Sequence, residues 1–141
     1  LIIATPLFIS DQYGNGPFIY IGCALACIGL TIETVADYQK FLFRTKSENS
    51  GRFIKLGLWN WVQHPNYTGE IIFWLGISLI AFHPDSIISF TTFISPLWIT
   101  ILLVKISGIP LLKKAALKKY GNTPGYQSYS EKTPLLFPYI Y

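Results

Sequence analysis

Glu33, Asp37, Lys40 and Arg44 stand at i, i+4, i+7 and i+11 in TIETVADYQKFLFR. On a helix that spacing stacks four side chains along one face, over about 16 Å. The stripe is acidic at one end and cationic at the other, so it offers carboxylates to hydroxyl groups and cations to phosphates. Further on, NWVQHPNYTGE introduces a second helix. Pro65 suits its first turn, with Gln63 or His64 as the cap, and Asn66, Gly69, Glu70 and Trp74 then share a face. Gly69 leaves room beside the backbone, and Asn66 and Glu70 can hold amide or hydroxyl groups.

Each residue taken singly has a plainer reading. Asp37 can pair with Lys40, and Lys40 or Arg44 can snorkel to lipid headgroups. Glu70 can sit in the favourable field of a helix N-terminus, and His64 can be an ordinary capping or interfacial histidine. Glu33 is harder to dismiss, because an ionisable group near the end of an apolar run needs a polar cavity or a partner. Two such faces side by side form a place where a soluble, phosphate-bearing cofactor meets an apolar substrate.

The elements that carry these faces are apolar. Of 141 residues, 51% are hydrophobic and only 13% charged, and the mean hydropathy is +0.41, a composition that points to a membrane protein. Residues 17–36 match the length of a bilayer crossing, 65–82 form a shorter apolar body behind the polar motif, and 86–112 are long enough to cross with tilt. Residues 1–9 read as the end of an earlier span. The chain opens on Leu1 and contains no Met, which reads as a processed product or the later part of a longer chain. Gly22, Cys23, Ala24, Ala26, Cys27 and Gly29 give the first span small residues for close helix packing.

Charge placement orients these spans. Lys40, Arg44, Lys46, Arg52 and Lys55 lie between the first two, and Lys113, Lys114, Lys118, Lys119 and Lys132 follow the third. Both basic regions therefore belong on the cytosolic side or its equivalent. Lys105, inside the third span, is placed to snorkel. The expected fold is all-α: a polytopic transmembrane helical protein of about three to four spans plus an interfacial C-terminal helix. Residues 1–16 would be the end of a preceding span and a non-cytosolic loop, and 17–141 one membrane domain.

Several chemistries are excluded. The basic excess is split between two membrane-flanking segments and accompanies no recognition module, which argues against nucleic acid. GxGxxG and strand patterns are both missing, so a Rossmann domain is excluded. Cys23 and Cys27, four apart in a span, suit packing rather than a disulfide, and no metal site is expected.

ADYQKFLFR, GLWNWVQHPNYTGEIIFWLG, SPLWITILLVKISGIPLLKKAALKK and PGYQSYSEKTPLLFP together resemble the C-terminal domain of the steroid 5-alpha-reductase superfamily. The likeness is greatest to its branch of uncharacterised membrane proteins, with sterol reductases and isoprenylcysteine carboxyl methyltransferases more distant. It covers nearly all of residues 20–141. The resemblance implies a site for NADPH, as in the reductases, or for S-adenosylmethionine, as in the methyltransferases. Glu33, Asp37 and Arg44 fall where the steroid reductases carry Asn, Asp and Arg; Asn66 and Glu70 match a later Asn and Glu, and Tyr67 an aromatic position.

On this reading Asp37, Lys40 and Arg44 meet ribose and phosphate, Asn66 and Glu70 the nicotinamide end, and His64 with Tyr67 shapes the pocket. The resemblance also makes the tail with Tyr126 and Tyr129 a cover over the cofactor, although interfacial anchoring explains both tyrosines equally well. Gln63 stands where related sequences have Arg, which removes a cation from the phosphate side. The implied activity is NADPH-dependent reduction of a lipid or sterol-like double bond. Methyl transfer from S-adenosylmethionine and a non-enzymatic role as a subunit of a larger membrane complex are the alternatives, and no catalytic residue is assigned. Expected partners are membrane lipids, a hydrophobic small-molecule substrate and other membrane subunits, in the endoplasmic reticulum or another organelle membrane.

Overall fold

A computed structural model describes residue 6 and residues 16–138; the expected earlier span and loop over residues 1–16 fall almost wholly outside them. Among the described residues the fold is entirely helical. Helix α1 runs Pro17–Thr45, α2 Pro65–Ile80, α3 Ile94–Ile101, α4 Ile109–Tyr120 and α5 Tyr126–Lys132. Prolines take first-turn positions in α1, α2 and α4, where a missing N–H costs nothing.

The first helix is 29 residues long, about 43 Å at 1.5 Å per residue. That exceeds a hydrocarbon core of ~30 Å, so the helix is longer than one crossing needs, and Asp37, Lys40 and Arg44 fall in its last turns. Its outer side exposes Tyr20, Ile21, Ile28, Leu30 and Val35, as suits lipid. The side that faces α2 is built largely from glycine and alanine.

Gly22 and Gly29, seven residues apart, face Gly76 and Gly69 of the antiparallel α2. A Cβ on Gly29 would come within 2.6 Å of the Gly69 carbonyl oxygen, and one on Gly22 within 2.6 Å of that of Gly76. Only glycine permits this approach. Ala26 and Ala36 are buried in the same seam. Cys23, Ala24 and Cys27, grouped with them by size in the sequence, are exposed on other faces.

Pro17–Thr45 and Ile87–Tyr120 are long and apolar enough to cross a membrane. At 16 residues α2 is shorter than the ~17–25 of a usual spanning helix, so two of the three expected crossings have the length. The stretch over Ile87–Tyr120 is not one uniform α-helix. It opens with a 3₁₀ turn over Ile87–Phe93, continues as α3, loosens into a π turn over Leu102–Ile106 and breaks at Gly108 before α4. The Ser107 N–H bonds the Leu102 carbonyl at 2.9 Å, five residues back.

Ile71, Ile99, Leu103, Ile109 and Leu136 form the core, with Tyr67 and Trp74 packed against it. The Ser78 hydroxyl donates to the Thr92 carbonyl at 2.8 Å, fastening α2 to the 3₁₀ turn. At the other end, the chain after α5 returns to the start of α2. The N–H groups of Gln63 and His64 donate to the carbonyls of Pro134 and Leu135 at 2.8 and 3.0 Å, and the Thr68 hydroxyl donates to that of Leu136.

Candidate functional site

The register of the glycine seam decides how the polar stripe of α1 is used. A Cβ on Gly69 would lie 2.5 Å from the Glu33 amide nitrogen, so α2 begins, at Pro65, about one turn beyond that contact. Glu33 and Asp37 therefore face α2, where with Glu70 and Tyr67 they form one electrostatic neighbourhood. Lys40 and Arg44 project past the start of α2. The stripe is divided: Glu33 is half-buried against α2, Asp37 is exposed near Glu70, and Lys40 and Arg44 line the cavity beyond.

Beyond α2 lies a cavity of about 800 Å³, within the usual range for small-molecule sites. Its wall includes Lys40, Arg44, Lys46, Arg52, Lys113 and Lys119, and no Asp or Glu. Four of those cations come from α1 and the loop after it, two from α4. Aromatic groups line the rest: Phe53 packs against Tyr126 and Tyr129, each with ring centroids 5.2 Å away, and Trp59 closes the floor.

Trp59 is held on three sides. Its indole N–H donates to the Ala36 carbonyl at 3.0 Å, the Lys40 ammonium stands 4.8 Å from the ring centroid, and its own carbonyl accepts the Tyr129 hydroxyl at 2.6 Å. The loop leading to it depends on Gly57, whose φ of 56° is left-handed; this turn delivers the Leu58 N–H to the Gln39 side-chain oxygen at 3.1 Å.

Of the residues expected at the site, Lys40, Arg44, His64, Tyr126 and Tyr129 line the cavity, while Glu33, Asp37, Asn66, Tyr67 and Glu70 do not. His64 joins the two regions, its ring stacked on Tyr67 with centroids 5.5 Å apart and an interplanar angle of 20°. The side-chain oxygen of Asn66 is buried with no hydrogen-bond partner among the described residues, which leaves an acceptor for a water or a ligand N–H. Lys46, Arg52, Lys113 and Lys119 were visible in the sequence only as markers of topology. Among the described residues, no group of three His, Cys, Asp or Glu side chains is arranged to hold a metal ion.

Gln63 does structural work. Its side-chain amide donates to the carbonyls of Ser130 and Thr133 at 3.0 and 2.6 Å, satisfying the carbonyl end of α5 and fixing Tyr126 and Tyr129 over the cavity. Burial, and then the neighbouring Tyr126, raises the Tyr129 phenol above its ordinary value, and burial followed by Tyr120 raises Tyr126. Both stay neutral.

Burial, with the nearby Lys40 charge, pushes His64 down to about 4 from an ordinary value of 6.5. The unfolded chain thus takes up this proton near pH 6.5 and the folded chain only near pH 4. The stability held by the neutral ring is full above 6.5 and declines as the pH falls through that window. The expected loss is on the order of 2 kcal/mol, allowing for the ring's remaining access to solvent. Melting of purified protein across this range checks it: His64→Gln should flatten the decline, and an unchanged profile would remove His64 as its source.

A family model described as "Protein of unknown function (DUF1295)" matches residues 1–133. An uncharacterized protein of Schizosaccharomyces pombe is 26% identical over 160 residues, covering 97% of this chain and 45% of the relative. The Delta(14)-sterol reductase of Mus musculus is 30% identical over 139 residues, 89% of this chain and 31% of that protein. The protein-S-isoprenylcysteine O-methyltransferase of Saccharomyces cerevisiae is 29% identical over 75 residues, 50% of this chain and 31% of that one. The chain thus spans less than half the length of these relatives. No solved structure matches it.

Proposed function

From the premise that the chain belongs to the DUF1295 family, a steroid 5-alpha-reductase-like family, we propose that it binds NADPH in the cationic cavity and serves the reduction of a lipid or sterol-like double bond. The observation that carries this reading is the sign of the wall: six cations and no carboxylate. NADPH brings a pyrophosphate and a 2′-phosphate, whereas the sulfonium of S-adenosylmethionine is repelled there. Arg44, Arg52, Lys46 and the two α4 lysines hold phosphates, the aromatic groups around Phe53 supply faces for a base, and Asn66 meets the carboxamide N–H. When bound, NADPH supplies the hydride. The chain's own residues orient it, exclude water through the Tyr126–Tyr129 cover, and set the acidic cluster of Glu33, Asp37 and Glu70 beside its reactive end.

In this reading the protein is a multi-pass component of an organelle membrane, α2 completes a third crossing, and the cavity opens on the basic, cytosolic side. The same acidic cluster favours a second reading, methyl transfer, because carboxylates suit a sulfonium. Ligand-induced stabilisation separates them. NADPH at a hundred times its Kd should raise the unfolding free energy by about 2.7 kcal/mol, with no response to S-adenosylmethionine. The reverse result selects methyl transfer, and no response to either leaves a subunit without catalysis.

A further inference from the structure

Helix α4, IPLLKKAALKKY, carries four lysines and no acidic residue. It has two faces with different surroundings. Lys113, Ala116, Lys119 and Tyr120 line the cavity. Leu111, Lys114, Leu117 and Lys118 are exposed and lie off its wall, the leucines at 60% and 53% of full exposure. Leu111, Lys114 and Lys118 stand at i, i+3 and i+7, so they form a single outward stripe with Leu117 beside it.

The position of the helix gives that stripe its meaning. α4 follows directly on the apolar part of the Ile87–Tyr120 stretch, and the π turn with Gly108 breaks it away from α3. A Cβ on Gly108 would collide with the Leu103 carbonyl, so the break is built into the backbone. A short helix leaving the basic end of a span, with exposed leucines flanked by lysines whose long stems can snorkel outward, suits a position at the headgroup level.

We propose that the outward face of α4 docks on an anionic lipid surface. Leu111 and Leu117 enter the acyl boundary, and Lys114 and Lys118 meet headgroup phosphates. Charge complementarity selects an anionic surface over a zwitterionic one, since no carboxylate of the helix offsets its cations. The interleaving of Leu with Lys, continuous with a membrane span, favours lipid over an acidic protein. This inference does not depend on what the cavity binds, because the two pairs of lysines point to different places.

Amide hydrogen exchange of residues 109–120, measured on the full chain in nanodiscs, tests the proposal. Exchange should slow by about tenfold in mixed phosphatidylcholine–phosphatidylglycerol discs relative to phosphatidylcholine alone, at low salt. High salt should erase the difference. Lys114→Gln with Lys118→Gln should abolish it, and Lys113→Gln with Lys119→Gln should preserve it. Equal exchange in the two lipids would overturn the proposal. So would protection that survives the Lys114 and Lys118 substitutions, or equal protection from inorganic phosphate added to phosphatidylcholine discs.

Discussion

If the cavity holds NADPH as proposed, replacing Arg44 and Arg52 together by alanine should weaken its binding by about a hundredfold, while Lys105→Ala should leave it within about twofold. Each charge-assisted phosphate contact contributes about 1.5–3 kcal/mol when well formed. Both arginines are exposed at the cavity wall, where water and salt reduce that contribution, so each change is taken at about tenfold, the low end. They reach the cavity from different elements, Arg44 from the last turn of α1 and Arg52 from the loop after it, so their losses should add. Lys105 carries the same charge on the π turn, off the cavity wall, and shows what losing one cation away from the cavity does. Fluorescence titration of NADPH with purified protein gives the ratio directly. The wild-type affinity should also fall steeply with ionic strength, and that slope should be shallower in the double variant. A loss below about threefold would remove the phosphate role from these arginines and with it the main support for the reductase reading.

How far the sequence could be read follows from what kind of information each feature needs. The start of α2 at Pro65 is local chemistry, a ring that fixes φ and lacks an N–H, and the expected start is the observed one. Hydropathy marked residues 17–36 as a crossing and the spacing of Glu33, Asp37, Lys40 and Arg44 suited a helix as far as Arg44; the two are one helix, Pro17–Thr45, because an amphipathic stretch past the apolar run still propagates helix. The π turn and the break at Gly108 escape a reading by hydropathy, which does not distinguish i→i+4 from i→i+5 bonding.

At the site, spacing placed Glu33, Asp37, Lys40 and Arg44 on one face, but the division of that face depends on where α2 begins in space. The four additional cavity cations come from a loop and from α4, segments brought together by long-range packing: Ile109 in the core, Tyr120 beside Phe53, and the return of the chain through Gln63 and Pro134. Gln63 itself shows the limit most clearly. Its identity suggested a missing phosphate ligand, whereas its geometry makes it the clamp on the end of α5.

The seam between α1 and α2 sets the second large effect. Gly29→Ala should destabilise the protein by about 3 kcal/mol, the upper part of the range for overpacking a tight interior. The reason is that the added methyl meets main chain rather than a side chain able to turn away: the Gly69 carbonyl would be 2.6 Å from it. Relief requires the helices to separate, and separation also undoes the fit at Gly22 and Gly76, where an added carbon would again lie 2.6 Å from a carbonyl. Ala24→Leu adds more atoms to the same helix, but at an exposed position, and should change stability by less than about 0.5 kcal/mol. Equilibrium unfolding of the two variants in the same lipid makes the comparison. Because Glu33 is held against Gly69 by this contact, Gly29→Ala should also disturb the acidic cluster and weaken ligand binding beyond what lowered stability explains, whereas Ala24→Leu should bind normally. Equal stability of the two variants would mean that the helices pack at an ordinary distance, and the division of the polar stripe between α2 and the cavity would lose its structural cause.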